Sequence, residues 1–240
     1  MGSVSHGTSE PNATGIDDVD IMGAVIPPLP YLLGWQRFEQ WDPPPDPASV
    51  LGELDCTFYN LRKLVRLWLK SNPNVLGLLW LRPEHYLART PTFDVFIANR
   101  DAFSSRIGIG ALRGYALGQM RDIDKGVYRG YMGAKRKELV EEFGYDCKHA
   151  AHTIRILRMG IEYCQTGQYK VWRGDRDGDE LRAIKRGDWS RDRVLREADR
   201  LLLELESAER ESPLPTHPDT ERVDSLVIKV LKDHLRGVLL

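Results

Sequence analysis

The sequence predicts an α+β fold: a small mixed β-sheet with its helices over residues 1–90, then a helical domain over residues 91–240. Three observations predict it. Two short segments near the start, residues 16–26 and 53–58, are rich in β-branched and aromatic side chains. From residue 58 onward apolar residues recur at helical spacing. In the second part, capped helical patterns follow one another.

The first segment contains Asp18-Val19-Asp20 within the apolar run of Ile16, Val19, Ile21, Val25 and Ile26. On a strand, residues two apart point to one face, so Asp18 and Asp20 stand side by side. Adjacent carboxylates repel, and a divalent cation is one reason for an apolar strand to carry them. Mg²⁺ takes one or two protein carboxylates together with substrate phosphates. A strand end followed by an acidic turn is the plainer alternative.

Residues 27–49 hold two proline clusters and read as loop, because proline fixes φ and offers no amide donor. Trp35, Phe38 and Trp41 lie between them. They either pin this loop to the core or stiffen a flap beside a functional site, since the segment joins the two acidic strands. Asp55 lies in the second strand-like segment, in Glu53-Leu54-Asp55-Cys56-Thr57-Phe58. Leu61, Leu64, Val65, Trp68 and Leu69 then mark a helix over residues 58–69, with Arg62, Lys63, Arg66 and Lys70 on its other face. Asn72-Pro73-Asn74 breaks the chain and starts a second apolar helix.

Residues 93–121 read as one or two helices. Gly110, Gly114 and Gly118 form a stripe on one face, expected where another helix or a ligand comes close. Residues 133–144 form a short helix ended by Gly144, and Asp146 caps a long one ended by Gly167. Ile154, Leu157, Ile161 and Cys164 form the buried stripe of this long helix. Lys148, His152, Arg155 and Met159 fall on a separate polar stripe. Cationic groups in a row repel unless an anion lies across them, and a triphosphate or a nucleic-acid backbone would serve. A solvated face is the alternative. Lys170-Val171-Trp172 reads as a short strand, residues 180–186 as a helix, and a longer helix starts near Asp192. A last helix follows the proline-rich residues 212–218.

Charge is nearly balanced, at net −1, so any anion-binding surface must be local. Cys56, Cys147 and Cys164 are odd in number and lack C-x-x-C spacing. They argue against a disulfide framework or zinc site and for a reducing, cytoplasmic setting. No apolar run reaches membrane-spanning length, and no signal peptide opens the chain.

Gly2-Ser3, a polar loop and Asp18-Val19-Asp20 resemble the signature of the DNA polymerase β-like nucleotidyltransferases. That signature ends with a third carboxylate on a neighbouring strand, for which Asp55 is the best candidate. The run YDCKHAAHTIRILRMGIE over residues 145–162, LRAIKRG over 181–187 and Ser212-Pro213-Leu214-Pro215 are similar to an uncharacterised bacterial and phage branch associated with RNA repair. The likeness spans residues 2–224. Two departures are the single residue, Met1, ahead of the Gly-Ser, and Gly77, where the branch tends to carry glutamate.

The resemblance implies a nucleotidyltransferase catalytic core over residues 1–90 and an active site between it and the helical domain. It implies transfer of a nucleoside monophosphate from an NTP such as ATP to a hydroxyl, with release of pyrophosphate. Asp18, Asp20 and Asp55 would hold two Mg²⁺ ions, with Mn²⁺ as the alternative metal. Gly2 and Ser3 would meet the nucleotide phosphates, and Lys148, His152 and Arg155 the triphosphate or an acceptor phosphate. The expected acceptor is an RNA end, in tRNA or a broken RNA. The alternatives are a protein hydroxyl or small molecule, or a non-catalytic nucleotide- or RNA-binding module. A protein acceptor would call for an exposed apolar or edge-strand surface.

Overall fold

The computed structural model describes residues 2–9, 19–44, 54–125 and 134–239. In chain order, α1 is Gly2–His6, β1 Val19–Val25, α2 Leu29–Leu32, β2 Gln40–Trp41, β3 Leu54–Asn60 and α3 Leu61–Leu69. Then come α4 (Pro91–Ala98), α5 (Ile107–Lys125), α6 (Ala134–Phe143), α7 (Cys147–Thr166), α8 (Gly178–Lys185), α9 (Arg191–Glu211) and α10 (Thr220–Leu239). The fold is α+β, a small mixed sheet with many helices, as expected.

The sheet runs β1-β3-β2. β1 and β3 are parallel, and Asp20 pairs with Asp55 in register. β2 is antiparallel to β3. A short piece of the proline-rich segment therefore joins the sheet, confined to its edge as the prolines require. Its aromatics divide: Trp41 stacks on Phe58 at 5.7 Å, whereas Trp35 is 90% exposed and pins nothing.

Several boundaries differ from expectation. β3 continues to Asn60, whose side chain accepts from the Arg62 amide, so α3 begins at residue 61 rather than 58. The expected second apolar helix is only a 3₁₀ turn over Leu76–Leu79. Pro83 restricts Arg82 to an extended conformation and prevents a longer helix. Lys170-Val171-Trp172 is not a strand. Its peptide groups bond instead to α1, where Arg173 N donates to the His6 carbonyl at 2.8 Å. The α5 glycines pack against no described residue: a Cβ at Gly110, Gly114 or Gly118 would meet no described atom within 4 Å.

The caps of α7 agree with expectation. Asp146 accepts from the His149 amide, and Gly167 closes the helix at φ 68°. This helix is buried on nearly every side, packed against α5, α8 and α9 in the larger core. The second core surrounds Trp68 of α3 and takes in Phe96 of α4 and, from α10, Val223 and Val230. The Trp68 indole donates to Val75 O at 3.0 Å. Cys147 and Cys164 are free and buried, and burial pushes their thiols up to about 11 and about 12.

Candidate active site

A cleft of about 310 Å³ lies where α1, β1, α7 and α8 meet. Of the residues singled out from sequence, Gly2, Ser3, Asp20, Lys148, His152 and Arg155 all line it. Asp55 is exposed and lies outside the cleft wall, on the strand beside Asp20. In-register residues on paired strands share a face, so the two carboxylates point the same way. The charges of Asp42 and Asp55 reach Tyr59, which does line the cleft; they raise its phenol after burial does so first. Asp18 lies outside the described residues.

Gly2 has φ +59°, and a Cβ there would come within 1.8 Å of an Asp20 carboxylate oxygen. Only glycine lets this backbone lie against the acid. Ser3 follows with a buried hydroxyl that has no hydrogen-bond partner among the described residues. The α1 segment is fastened mainly by the helical part of the chain. Arg182 Nη1 donates to Gly7 O at 2.7 Å and Lys185 Nζ to Thr8 O at 2.8 Å.

At the base of the cleft, Arg155 is buried, with 9% of its surface exposed. His6 Nδ1 lies 3.0 Å from Val171 O, and a carbonyl can only accept, so Nδ1 carries the ring proton. His6 Nε2 is therefore the acceptor for Arg155 Nη1, at 2.8 Å. The 3.1 Å approach of Nη1 to Nδ1 is then not a hydrogen bond. Arg155 Nη2 donates to His152 Nδ1 at 2.8 Å, which puts the second ring's proton on Nε2, where it donates to Tyr115 Oη at 3.2 Å. The remaining contact, at 3.4 Å, is to the Met159 sulfur. Burial and then the Arg155 charge hold His6 well below its ordinary value, so it is neutral.

Among the described residues no carboxylate pairs with Arg155, and burial pulls its guanidinium down to about 10. Among the described residues its hydrogen bonds are thus met by imidazoles and a thioether, with no carboxylate in contact. A buried cation of this kind is costly unless an anion completes the site.

The polar stripe read on α7 is therefore a cleft wall rather than a solvated face, and Met159 belongs to the core. The basic face of α3 is turned elsewhere: Arg66 pairs with Glu39 at 2.9 Å and Lys63 bonds Gln40 at 2.6 Å. Sequence reasoning missed His6, Thr8, Tyr59 and Lys185 in the cleft. Lys185 had a signal, since it falls within LRAIKRG. His6 had none, because its partner Arg155 lies 149 residues away.

The donors for a metal would all be carboxylate oxygens, the type Mg²⁺ prefers. Asp20 and Asp55 supply two on adjacent strands, and no group of three His, Cys, Asp or Glu converges among the described residues. Two carboxylates on adjacent strands are the donor type a magnesium ion takes.

A family model, RlaP (RNA repair pathway DNA polymerase beta family), matches residues 1–229. Comparison with curated proteins and with solved structures returns no match.

Proposed function

This chain belongs to the RNA repair pathway DNA polymerase beta family, and on that premise we propose that it is a metal-dependent nucleotidyltransferase acting on an RNA end. The observation that carries the reading is Arg155, a buried guanidinium held by two imidazoles and facing a cleft that also contains Asp20 and a Ser3 hydroxyl without a partner among the described residues. A triphosphate supplies an anion. Arg155 and Lys148 neutralise its oxygens, and Ser3 donates to one of them.

Asp18, Asp20 and Asp55 would hold Mg²⁺, which supplies charge neutralisation at the reacting phosphate and acidifies the attacking hydroxyl. Gly2 leaves room for the Asp20 carboxylate to keep its position. The Tyr115–His152–Arg155–His6 chain fixes the guanidinium before substrate arrives, so little reorganisation is left for the reaction. The acceptor hydroxyl, its proton passing to Asp55, attacks the α-phosphorus, the bond to the bridging oxygen breaks, and pyrophosphate leaves with the β- and γ-phosphates.

The test is incubation of the protein with Mg²⁺, each α-labelled NTP and total cellular RNA. Labelled RNA with matching pyrophosphate release is expected. Label on protein instead of RNA would move the acceptor to a protein hydroxyl, and failure of every NTP to bind or turn over would overturn the reading.

A further inference from the structure

Lys170-Val171-Trp172, which forms no strand, holds His6 instead. Both neighbours of Trp172 bond to it: Val171 O accepts from His6 Nδ1 at 3.0 Å, and Arg173 N donates to His6 O at 2.8 Å. His6 in turn accepts from Arg155 at the base of the cleft. The α1 segment needs such holds, because a helix of five residues is not stable by itself.

The Trp172 side chain meets different partners. Gly7, at φ +66°, and Gly174 lie against its ring: a Cβ would come within 2.9 Å of it from Gly7 and 2.5 Å from Gly174. The Arg82 guanidinium lies over the ring, 4.3 Å from its centroid, and the His85 ring is tilted against it at 5.3 Å. The indole N–H donates to Asp175 Oδ2 at 3.0 Å, and Arg82 Nη2 donates to the same oxygen. Arg82 and His85 follow the 3₁₀ turn over Leu76–Leu79, whose Leu78 and Leu79 belong to the Trp68 core beside the sheet. Residues 171–173 therefore have two anchors. Arg173 ties them to Glu162 and Asp177 in the helical part, and Trp172 ties them to the sheet part.

We infer that Trp172 is a positioning residue for the cleft: it keeps the sheet, which carries Asp20, in register with α7, which carries Arg155, and holds α1 with Ser3 and His6 between them. The inference rests on the nucleotide reading of the cleft. The Arg82–Asp175 ion pair is itself exposed and contributes little, so the stack and the ring's contacts with the two glycines carry the effect. A misplacement of about 1 Å costs a site roughly 100-fold, so a ring outside the cleft wall can govern what binds inside it.

The test measures calorimetric binding of the four NTPs with Mg²⁺ to the full chain, and follows the variants with the NTP that the parent binds tightest. Trp172→Ala should weaken that NTP roughly tenfold. It should speed amide exchange by a similar factor at Gly7 and Thr8, whose N–H groups bond to Val4 O and Ser3 O, while the α9 amides exchange as in the parent. Trp172→Phe keeps a ring against Gly7 and Arg82 and should restore both readings to within about threefold. Asp175→Asn removes only the charge and should change affinity by less than about twofold. Should Trp172→Ala not fold, Arg82→Ala takes its place and should weaken the NTP about threefold. Unchanged affinity in Trp172→Ala, or in Arg82→Ala where that stands in, overturns the inference. So does unchanged exchange at Gly7 and Thr8, an equal rise across α9, or no rescue by Trp172→Phe. If the parent binds no NTP, the nucleotide reading falls and this inference with it; if the parent binds and the variants bind alike, the inference falls alone.

Discussion

Arg155 and Arg173 are both buried, at 9% and 2% exposure, yet they face opposite surroundings. Arg173 donates to Asp177 at 2.7 Å and to Glu162 at 2.8 Å, and these acids raise its pKa despite burial. Arg158 and Arg176 pair with the same two carboxylates and complete a structural network. Arg155 meets two imidazoles and a thioether and, among the described residues, no carboxylate. Both guanidiniums are hydrogen-bonded, but among the described residues only Arg173 is paired with carboxylates. The two arginines differ in the charge of their acceptors, not in their depth.

The largest test removes the carboxylate-paired arginine. Arg173→Ala leaves Glu162 and Asp177 short of a cation, and should cost about 3–5 kcal/mol in urea unfolding. A loss below about 1 kcal/mol would break the contrast. Arg155→Met should behave in the opposite way. It removes a buried charge that meets no described carboxylate, so unfolding stability should hold or rise, while ATP binding measured by calorimetry weakens roughly 100-fold, or about 2–3 kcal/mol. A destabilisation equal to that of Arg173→Ala would make Arg155 a structural residue.

A third substitution converts one environment into the other. His6→Asp places a carboxylate beside Arg155 and should lower ATP affinity about tenfold, near 1.4 kcal/mol, without loss of stability. His6→Asn keeps a neutral donor and acceptor and should bind ATP nearly as the parent does. Equal affinities for the two variants would remove charge from the explanation.

The smallest effect is on pH. The His6 pKa is depressed in the folded state, so below the unfolded value of about 6.5 the unfolded chain takes up a proton that the folded chain refuses. Stability is full above that pH. It falls by at most about 1.4 kcal/mol per unit as pH drops toward the folded value. Asp177 and Glu197, whose pKa values are lowered, contribute their losses only below the ordinary carboxylate range. Unfolding midpoints between pH 7.5 and 5.5 should show the His6 slope, and His6→Asn should flatten it.

The periodic elements were legible in the sequence because their signals are local. The α7 caps and the buried side of α9, from Val194 to Ala208, come directly from residue spacing. The cleft face of α7 was legible as a cationic stripe, but its burial was not, since that depends on α1 and α8 closing over it. The segment at Lys170-Val171-Trp172 was misread because strand propensity says nothing of which partner takes the peptide groups. Here the partner is His6, far away in the chain. The helix packing expected at Gly110, Gly114 and Gly118 is not found among the described residues for a related reason: a small-residue stripe shows that room exists, not that a neighbouring helix fills it.

That unfilled face of α5 leaves the fold room to spare. Each glycine forgoes about 1 kcal/mol relative to alanine, and a methyl group at any of the three would touch no described atom. The helix thus carries a reserve of mutational tolerance at positions that do not line the cleft. A chain with alanine at these sites could absorb more damaging substitutions elsewhere before it ceased to fold.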